Sequence, residues 1–177
     1  MTLDLKTLVH AVLGGYALPS HGTHGVGHWA RVLSNGLRLV DGTGVNPDIV
    51  SLFAVFHDAR RLNEHTDHGH GRRGAALAAE LRGTLFELPD DDFLLLRLAC
   101  EGHTDGGTDA DLAIQICWDA DRLDLARVGK RVDPARLCTA AARTIEMIEW
   151  ATGRATSRAV PALVESEWGL DRVGTHR

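Results

Sequence analysis

Residue types that bind metal ions occur at four separated places in this chain of 177 residues. They are His28, the adjacent pair His57 and Asp58, His103, and Asp121. Imidazole and carboxylate groups are the ligands that divalent transition metals take from proteins, and a helical bundle can direct them from several helices at one point. The sequence therefore predicts a metal site, and it says more about that chemistry than about the substrate.

Asp121 is predicted to lie within an apolar stripe of its helix. At about 100 degrees per residue it shares a face with apolar residues one and two turns away. These are Ile114, Cys117, Trp118, Leu125 and Val128. A buried, ionised carboxylate needs a partner, so we expect Asp121 to contact a cation, either a metal ion or an arginine. Asp119 is expected on the other side of the helix as the weaker ligand candidate, where Arg122 could pair with it at the surface.

His57 ends a second apolar stripe, in which Val50, Phe53 and Ala54 lie one and two turns before it. A single histidine in such a place is more often a core residue that is hydrogen-bonded to a carbonyl. The adjacent Asp58 favours the other interpretation, in which two neighbouring ligands at a helix end reach one metal ion.

His28 shares a helix face with His24 and Arg31, so that a metal ligand and an anion-binding group could point the same way. His24 and His28 also have the i, i+4 spacing of zinc-binding helices, although the chain lacks the Glu-x-x-His pattern. We expect His24 to lie behind a ligand or to face the substrate, and His21 to be solvated.

The elements that must position these residues are predicted to be helices, because apolar residues recur at spacings of three and four. The length is that of one domain covering residues 1–177. A polar loop is expected over residues 60–73. The predicted helices cover residues 3–13, about 24–40, 47–56, 75–81, 90–101, 110–128, 134–150 and 157–168.

The composition limits the partners of the chain. With a net charge of -5 it has no overall basic field for nucleic acid or an anionic membrane, so we expect a small soluble substrate. No apolar run approaches the roughly 20 residues of a membrane span, and the first residues make a poor secretory signal, so we expect a cytoplasmic protein. Cys100 and Cys117 are expected to be reduced core thiols, and no cysteine forms a Cys-x-x-Cys pair with another. The oligomeric state is not predicted.

The ordered pattern of His28, His57-Asp58 and Asp121 resembles the HD-domain superfamily of metal-dependent phosphohydrolases. The resemblance covers about residues 24–129 and leaves residues 130–177 as closing helices. The matching phrases are HWARV at 28–32, LFAVFHD at 52–58 and ADRLD at 120–124. The resemblance implies an all-α, HD-domain-like helical bundle with a buried metal site.

The resemblance also implies a ligand set for one or two divalent ions, which would be Mn, Fe, Co, Ni, Mg or Zn. One ion would be held by His28, His57, Asp58 and Asp121. Some members of the superfamily add two histidines for a second ion, and here His70 and His103 resemble that pair. His65 and His68 are alternatives to His70.

By this resemblance, the expected activity is hydrolysis of a phosphate ester or anhydride in a small, nucleotide-like molecule. Asp58 would bind the metal ion and orient water. Positive charge around the phosphoryl oxygens could come from Arg31, Arg61 and Arg72, whereas Arg60 and Arg73 are expected to be surface charges.

One position departs from the pattern of HD nucleotidases, which have a glutamate three residues after the His-Asp pair. Here that residue is Arg61 and the nearest carboxylate is Glu64, which argues against a deoxynucleotidase. A mixed-valence di-iron oxygenase of the same superfamily is the alternative. Organophosphonate oxygenases of that branch place a tyrosine and a glutamate ahead of the first histidine, whereas here Tyr16 is the sole tyrosine and no glutamate precedes Glu64. A catalytically inactive metal-binding module is the third hypothesis.

Overall fold

The computed structural model describes residues 3–172, and this part of the chain is all-α, as predicted. Within it, the bridge between Arg82 and Phe86 is isolated and belongs to no strand. The α-helices are α1 (Leu5–Leu13), α2 (Val26–Val40), α3 (Pro47–Phe56), α4 (His70–Leu81), α5 (Asp90–Gly102), α6 (Leu112–Arg122), α7 (Ile145–Thr156) and α8 (Leu163–Ser166). Two 3₁₀-helices span Leu125–Val128 and Pro134–Arg136.

Helix α3 is the centre of the bundle and packs against α2, α4, α5 and α6. It begins as the sequence predicts, because the Asn46 side chain accepts a hydrogen bond from the Asp48 N–H at 3.0 Å and Pro47 occupies the first turn. Every residue from Ile49 to Phe56 is buried. A helix that is apolar on all sides can only be stable inside the bundle, and α3 therefore brings its C-terminal His57-Asp58 pair into the core.

Helix α4 begins at His70, not at the predicted Ala75. Glycines in this segment favoured a loop, because glycine has poor helix propensity. Glycine is required at these two positions by close packing. A Cβ on Gly71 would lie 2.1 Å from the Cys100 carbonyl oxygen, and a Cβ on Gly74 would lie 2.1 Å from the Phe56 carbonyl oxygen. The glycines therefore let α4 approach α5 and the end of α3, which brings His70 into the core.

The predicted helix boundaries after residue 110 were wrong. The helix predicted at 110–128 ends at Arg122, and the two predicted at 134–150 and 157–168 are replaced by α7 and the short α8. One cause is Asp119, whose carboxylate accepts hydrogen bonds from the backbone N–H groups of Cys138 at 2.6 Å and Thr139 at 2.8 Å. These bonds fix an irregular connection, and α7 starts only at its Thr144 cap.

Two expectations about apolar residues can also be compared with residues 3–172. Cys100 and Cys117 are fully buried free thiols, as predicted. None of the helices in this range combines the length and the apolar character that a membrane crossing demands.

Candidate metal centre

The six residues of the predicted ligand set meet in the middle of the bundle. His28 lies on α2 and Asp121 on the last turn of α6, whereas the others lie at the ends of α3, α4 and α5. His28, His57, Asp58, His70 and His103 are buried, and 15% of the Asp121 side chain is exposed. We call these six residues the metal centre.

Four side chains form a first group around one point. The Nε2 atoms of His28 and His57 are 3.0 Å apart, and Asp121 Oδ1 lies 3.4 Å from the first and 3.9 Å from the second. Asp58 Oδ2 completes the group at 3.5 Å from His28 Nε2 and 3.7 Å from His57 Nε2. Two imidazoles and two carboxylates thus converge as a metal ion requires.

The other oxygen of Asp58 belongs to a second group. Asp58 Oδ1 lies 3.2 Å from His70 Nε2 and 3.7 Å from His103 Nε2, and these two nitrogens are 2.8 Å apart. The compact groups of possible ligands in the described residues are His28, His57 and Asp58, and Asp58, His70 and His103. Asp58 is thus shared by both groups, which is the arrangement that a bridged pair of metal ions uses.

The hydrogen bonds of the imidazoles fix which nitrogen is free. Each Nδ1 faces an oxygen that can accept a hydrogen bond but cannot donate one. Each neutral ring therefore carries its proton on Nδ1 and turns its Nε2 lone pair to the centre. The acceptors are Asp124 Oδ2 for His28 at 2.7 Å, the carbonyls of Phe53 and Ala54 for His57 at 3.1 and 3.2 Å, that of Asp67 for His70 at 2.6 Å, and that of Cys100 for His103 at 2.7 Å. Four lone pairs directed inward fit cations, and the residues present therefore fit metal ions.

Burial and neighbouring charges set the protonation states of the centre. Burial lowers the pKa of His57 to about 3. Burial by itself would raise the pKa of Asp58, but the neighbouring imidazoles, His57 first, outweigh it and hold that pKa well below its usual range. The pKa of Asp121 is lowered in the same way, against the effect of burial, mainly by His57 and His28. Ionised carboxylates beside a neutral His57 are the states in which these groups bind metal ions.

Asp124 supports His28 from behind, a role that the sequence reading did not assign. Its buried carboxylate accepts one hydrogen bond from His28 Nδ1 and two from Arg31, from Nε at 2.7 Å and from Nη2 at 3.0 Å. Arg31 also donates to the Ala159 carbonyl at 3.1 Å. Arg31 is thus held by Asp124 and does not line the cavity beside Asp58 and His70, so its role toward a substrate stays a prediction. The available signal was the ADRLD phrase, which contains Asp124 as well as Asp121.

The expected pairing of Asp119 with Arg122 at the surface was wrong. Asp119 is fully buried and accepts hydrogen bonds from Cys138 and Thr139, including the Thr139 hydroxyl at 2.8 Å. Arg122 does not pair with it at the surface; this guanidinium donates to the carbonyls of Arg136 at 2.7 Å and Gly106 at 2.8 Å. As predicted from the helix faces, Asp121 faces the histidines and Asp119 faces away from them.

A cavity of about 1300 Å³ opens beside the metal centre and contains Asp58, His70, His103 and Asp121 in its wall. Its wall carries seven cationic side chains and seven carboxylates, so it is not basic as a whole. The cationic side chains are Arg61, Arg72, Arg122, Arg127, Lys130, Arg131 and Arg136. The last five come from the chain after α5 and carry no periodic signal in the sequence, so only the fold shows that they face the same space.

Arg61 and Arg72, both predicted to bind substrate, occupy different parts of this cavity. Arg61 is buried, and its Nη1 lies 3.3 Å from Asp58 Oδ1 and 3.2 Å from His70 Nε2. Arg72 is exposed on the wall. Arg61 therefore places a positive charge directly at the second group, and Arg72 can move in solvent.

The structure also separates the residues for which the sequence left alternatives. His65 and His68 line the cavity, but His70 is the residue grouped with Asp58 and His103. Arg60 donates to the carbonyls of Val12 and Gly15, and Arg73 pairs with both oxygens of Asp67. These two arginines hold loops together and do not line the cavity wall.

His24 and Glu64 form a pair at the edge of the cavity. His24 Nδ1 and Glu64 Oε2 are in hydrogen-bond contact, and both residues line the wall. Burial lowers the pKa of His24, and Tyr16 donates to the His24 carbonyl at 2.8 Å. The chain thus has a carboxylate near the metal centre although position 61 is an arginine.

Comparison with models of protein families, with curated proteins and with solved structures gave no match. The geometry of the site and the sequence resemblance to the HD-domain superfamily are therefore what the proposed function rests on.

Proposed function

We propose that this chain binds two divalent metal ions and hydrolyses a phosphate ester or anhydride of a small, nucleotide-like molecule, as an HD-type phosphohydrolase. The observation that carries the proposal is the division of the Asp58 carboxylate between two groups of imidazoles, each with its Nε2 lone pair directed inward. The wall of the adjoining cavity has as many carboxylates as cationic side chains, so support for an anionic substrate comes locally, from Arg61 beside the second group.

In this proposal His28, His57, Asp58 and Asp121 would hold one ion, and Asp58, His70 and His103 would hold the other. Divalent ions in such a site lower the pKa of bound water and polarise a phosphoryl oxygen. The contribution of Asp58 is positional: because both of its oxygens are engaged, it fixes the distance between the two groups.

The chain itself supplies charge for the phosphoryl group. Phosphoryl transfer needs positive charge around the equatorial oxygens and little covalent chemistry from the protein. Arg61 is the best placed cation, since its Nη1 already contacts Asp58 and His70. Lys130 and Arg131, between the two 3₁₀-helices, line the same cavity. They are suited to a second phosphate or to the remainder of the substrate.

The His24–Glu64 pair is placed to move a proton. Glu64 accepts from one ring nitrogen of His24 and so orients the imidazole, as the carboxylate does in a catalytic triad. The ring centroid of His24 is 6.2 Å from that of His28, close enough to face a substrate held at the metal centre. In the proposed reaction the neutral His24 accepts a proton from the attacking water and passes it to the leaving oxygen, and Glu64 is a positioning residue.

The test is phosphate release from a panel of nucleotides and simple phosphate esters, with the metal content of the same preparation measured by mass spectrometry. We expect release that depends on added Mn, Co, Ni, Fe or Mg and that is lost in His57→Ala. Lys6→Ala, outside the cavity, is the matched control and should retain phosphate release. If the protein contains metal but releases phosphate from no member of the panel, the hydrolase proposal fails in favour of a metal-binding module.

A di-iron oxygenase is the second candidate, favoured by the four imidazoles and the shared carboxylate that the two groups provide. It predicts two irons per chain after anaerobic purification, with the paramagnetic resonance signal of a mixed-valence pair. Such a signal together with oxygen consumption would overturn the hydrolase proposal. Full phosphate release with manganese or magnesium as the added metal would overturn the oxygenase.

A further inference from the structure

A second cavity, of about 230 Å³, borders His28 but no other residue of the metal centre. Its wall carries four guanidinium groups from three parts of the chain. They belong to Arg31, Arg127, Arg158 and Arg172. Guanidinium groups stay protonated in proteins, so this small space concentrates permanent positive charge.

Two of these guanidinium groups are buried and share one carboxylate. Arg31 takes both oxygens of Asp124, at 2.7 and 3.0 Å, whereas Arg127 Nε lies 3.7 Å from Asp124 Oδ2. Arg127 donates instead to the backbone carbonyls of Thr23 and Asp124 itself, both at 3.2 Å. Asp121 also acts on Arg127 from the side of the larger cavity, but no carboxylate of the described residues lines the small cavity. An anion there would meet guanidinium groups without a competing negative charge.

The other two arginines add charge from the outer side. In residues 3–172, neither Arg158 nor Arg172 forms an ion pair, and Arg172 donates to the Val160 carbonyl at 2.9 and 3.1 Å. Gly27 brings the N-terminal turn of α2 to the same wall, and no side chain caps this turn. Its positive helix end adds to the field of the arginines.

We propose that this cavity binds a single phosphate group, either inorganic phosphate or the phosphate end of a small phosphorylated molecule. A tetrahedral oxyanion offers several acceptor oxygens to converging guanidinium groups, which is the geometry that arginine recognises best. The volume suits one such anion, since sites for drug-sized ligands span about 300–1,000 Å³. The site adjoins the metal centre at His28 and shares Arg127 with the larger cavity, but Asp58, His70, His103 and Asp121 line the larger cavity and not this one.

Arg158 offers an unusually clean test. Its backbone has a φ of 50°, in the left-handed region that glycine adopts without strain, so Arg158→Gly removes the charge without a conformational penalty. Isothermal titration of the full-length, metal-containing protein with inorganic phosphate should show one site per chain. Arg158→Gly should weaken binding about tenfold, because one charge-assisted hydrogen bond to the anion is lost, while the melting temperature stays the same or rises.

Two matched variants locate the anion. Arg97→Ala removes one exposed charge from α5, away from both cavities, and should leave phosphate binding unchanged. Arg72→Ala removes one exposed charge from the larger cavity and reports any phosphate that binds there instead. If Arg72→Ala weakens phosphate binding and Arg158→Gly does not, the anion binds at the metal centre and the proposal is wrong.

The same titration with methylphosphonate distinguishes the two sources of the phosphate group. Equal affinity for both anions identifies a site that accepts a substituted phosphate, and binding of inorganic phosphate alone identifies a site for the free ion. Absence of binding for both, in protein that releases phosphate from esters, would overturn this inference while leaving the proposed hydrolase intact.

Discussion

The two groups of the metal centre use the same kinds of ligand but are supported differently. In the first group, His28 lies in the first turn of α2 and Asp121 in the last turn of α6, and the His28 ring is held by the carboxylate of Asp124. In the second group, His70 is the first residue of α4 and His103 follows the end of α5, and both rings are held by backbone carbonyls.

A charge also distinguishes the two groups. The guanidinium of Arg61 lies 3.3 Å from Asp58 Oδ1 and 3.2 Å from His70 Nε2, so it competes with a cation in the second group. A carboxylate behind an imidazole raises the basicity of that ligand, whereas a carbonyl does so less. We therefore expect the first group to bind its metal ion more tightly than the second, so that the two ions bind in sequence.

The largest effect is expected from Asp58→Ala, which removes the one carboxylate that both groups share. Both ions should be lost, and metal analysis should find almost none in the purified variant. Asp105→Ala is the matched control, because it removes an exposed carboxylate from the wall of the same cavity. One ion per chain retained in Asp58→Ala would show that the groups do not depend on a shared ligand.

A smaller and one-sided effect is expected from Asp124→Asn. The amide keeps the shape of the carboxylate but not its charge, so the His28 imidazole becomes a weaker ligand. Loss of such a supporting carboxylate typically lowers metal affinity about 10–100-fold. Competition with a chelator should show this loss for the tighter ion alone. Equal weakening of both ions would contradict the distinction drawn between the two groups, and Asp41→Asn, which changes an exposed residue after α2, serves as the control.

The smallest effect is expected from Arg61→Gln and has the opposite sign. Removal of the guanidinium relieves repulsion of a cation at His70 and Asp58, so the weaker ion should bind several-fold more tightly. The Michaelis constant of an anionic substrate should rise in the same variant. Arg72→Gln, at an exposed position of the same cavity, should change the affinity for the metal ion much less. Weaker metal binding in Arg61→Gln would mean that Arg61 orders the second group instead of opposing it.

Much of the fold could be predicted because its signals are local. The Asn46-Pro47 start of α3 and its continuous apolar run depend on capping and burial, which act within a few residues. The assignment of Asp121 to the site followed from helix periodicity in the same way. The helix at His70 could not be predicted, because the reason for Gly71 and Gly74 is the approach of α5 and of the end of α3.

The closing segment shows the same limit. The sequence pattern of residues 134–150 is compatible with a helix, but the Asp119 carboxylate binds backbone N–H groups of Cys138 and Thr139 and prevents it. An interaction between residues about 20 positions apart has no periodic signature, so tertiary contacts override local propensity here.

By itself, the sequence determined that the protein is all-α and which residue types could bind metal, since both follow from side-chain chemistry and short-range spacing. Only the tertiary structure decided that Asp58 is divided between two groups, that Arg31 belongs to Asp124, and that four arginines meet beside His28. The physical reason is that ligand sharing and charge balance depend on distances of 3–4 Å between side chains far apart in the chain, and packing alone sets those distances.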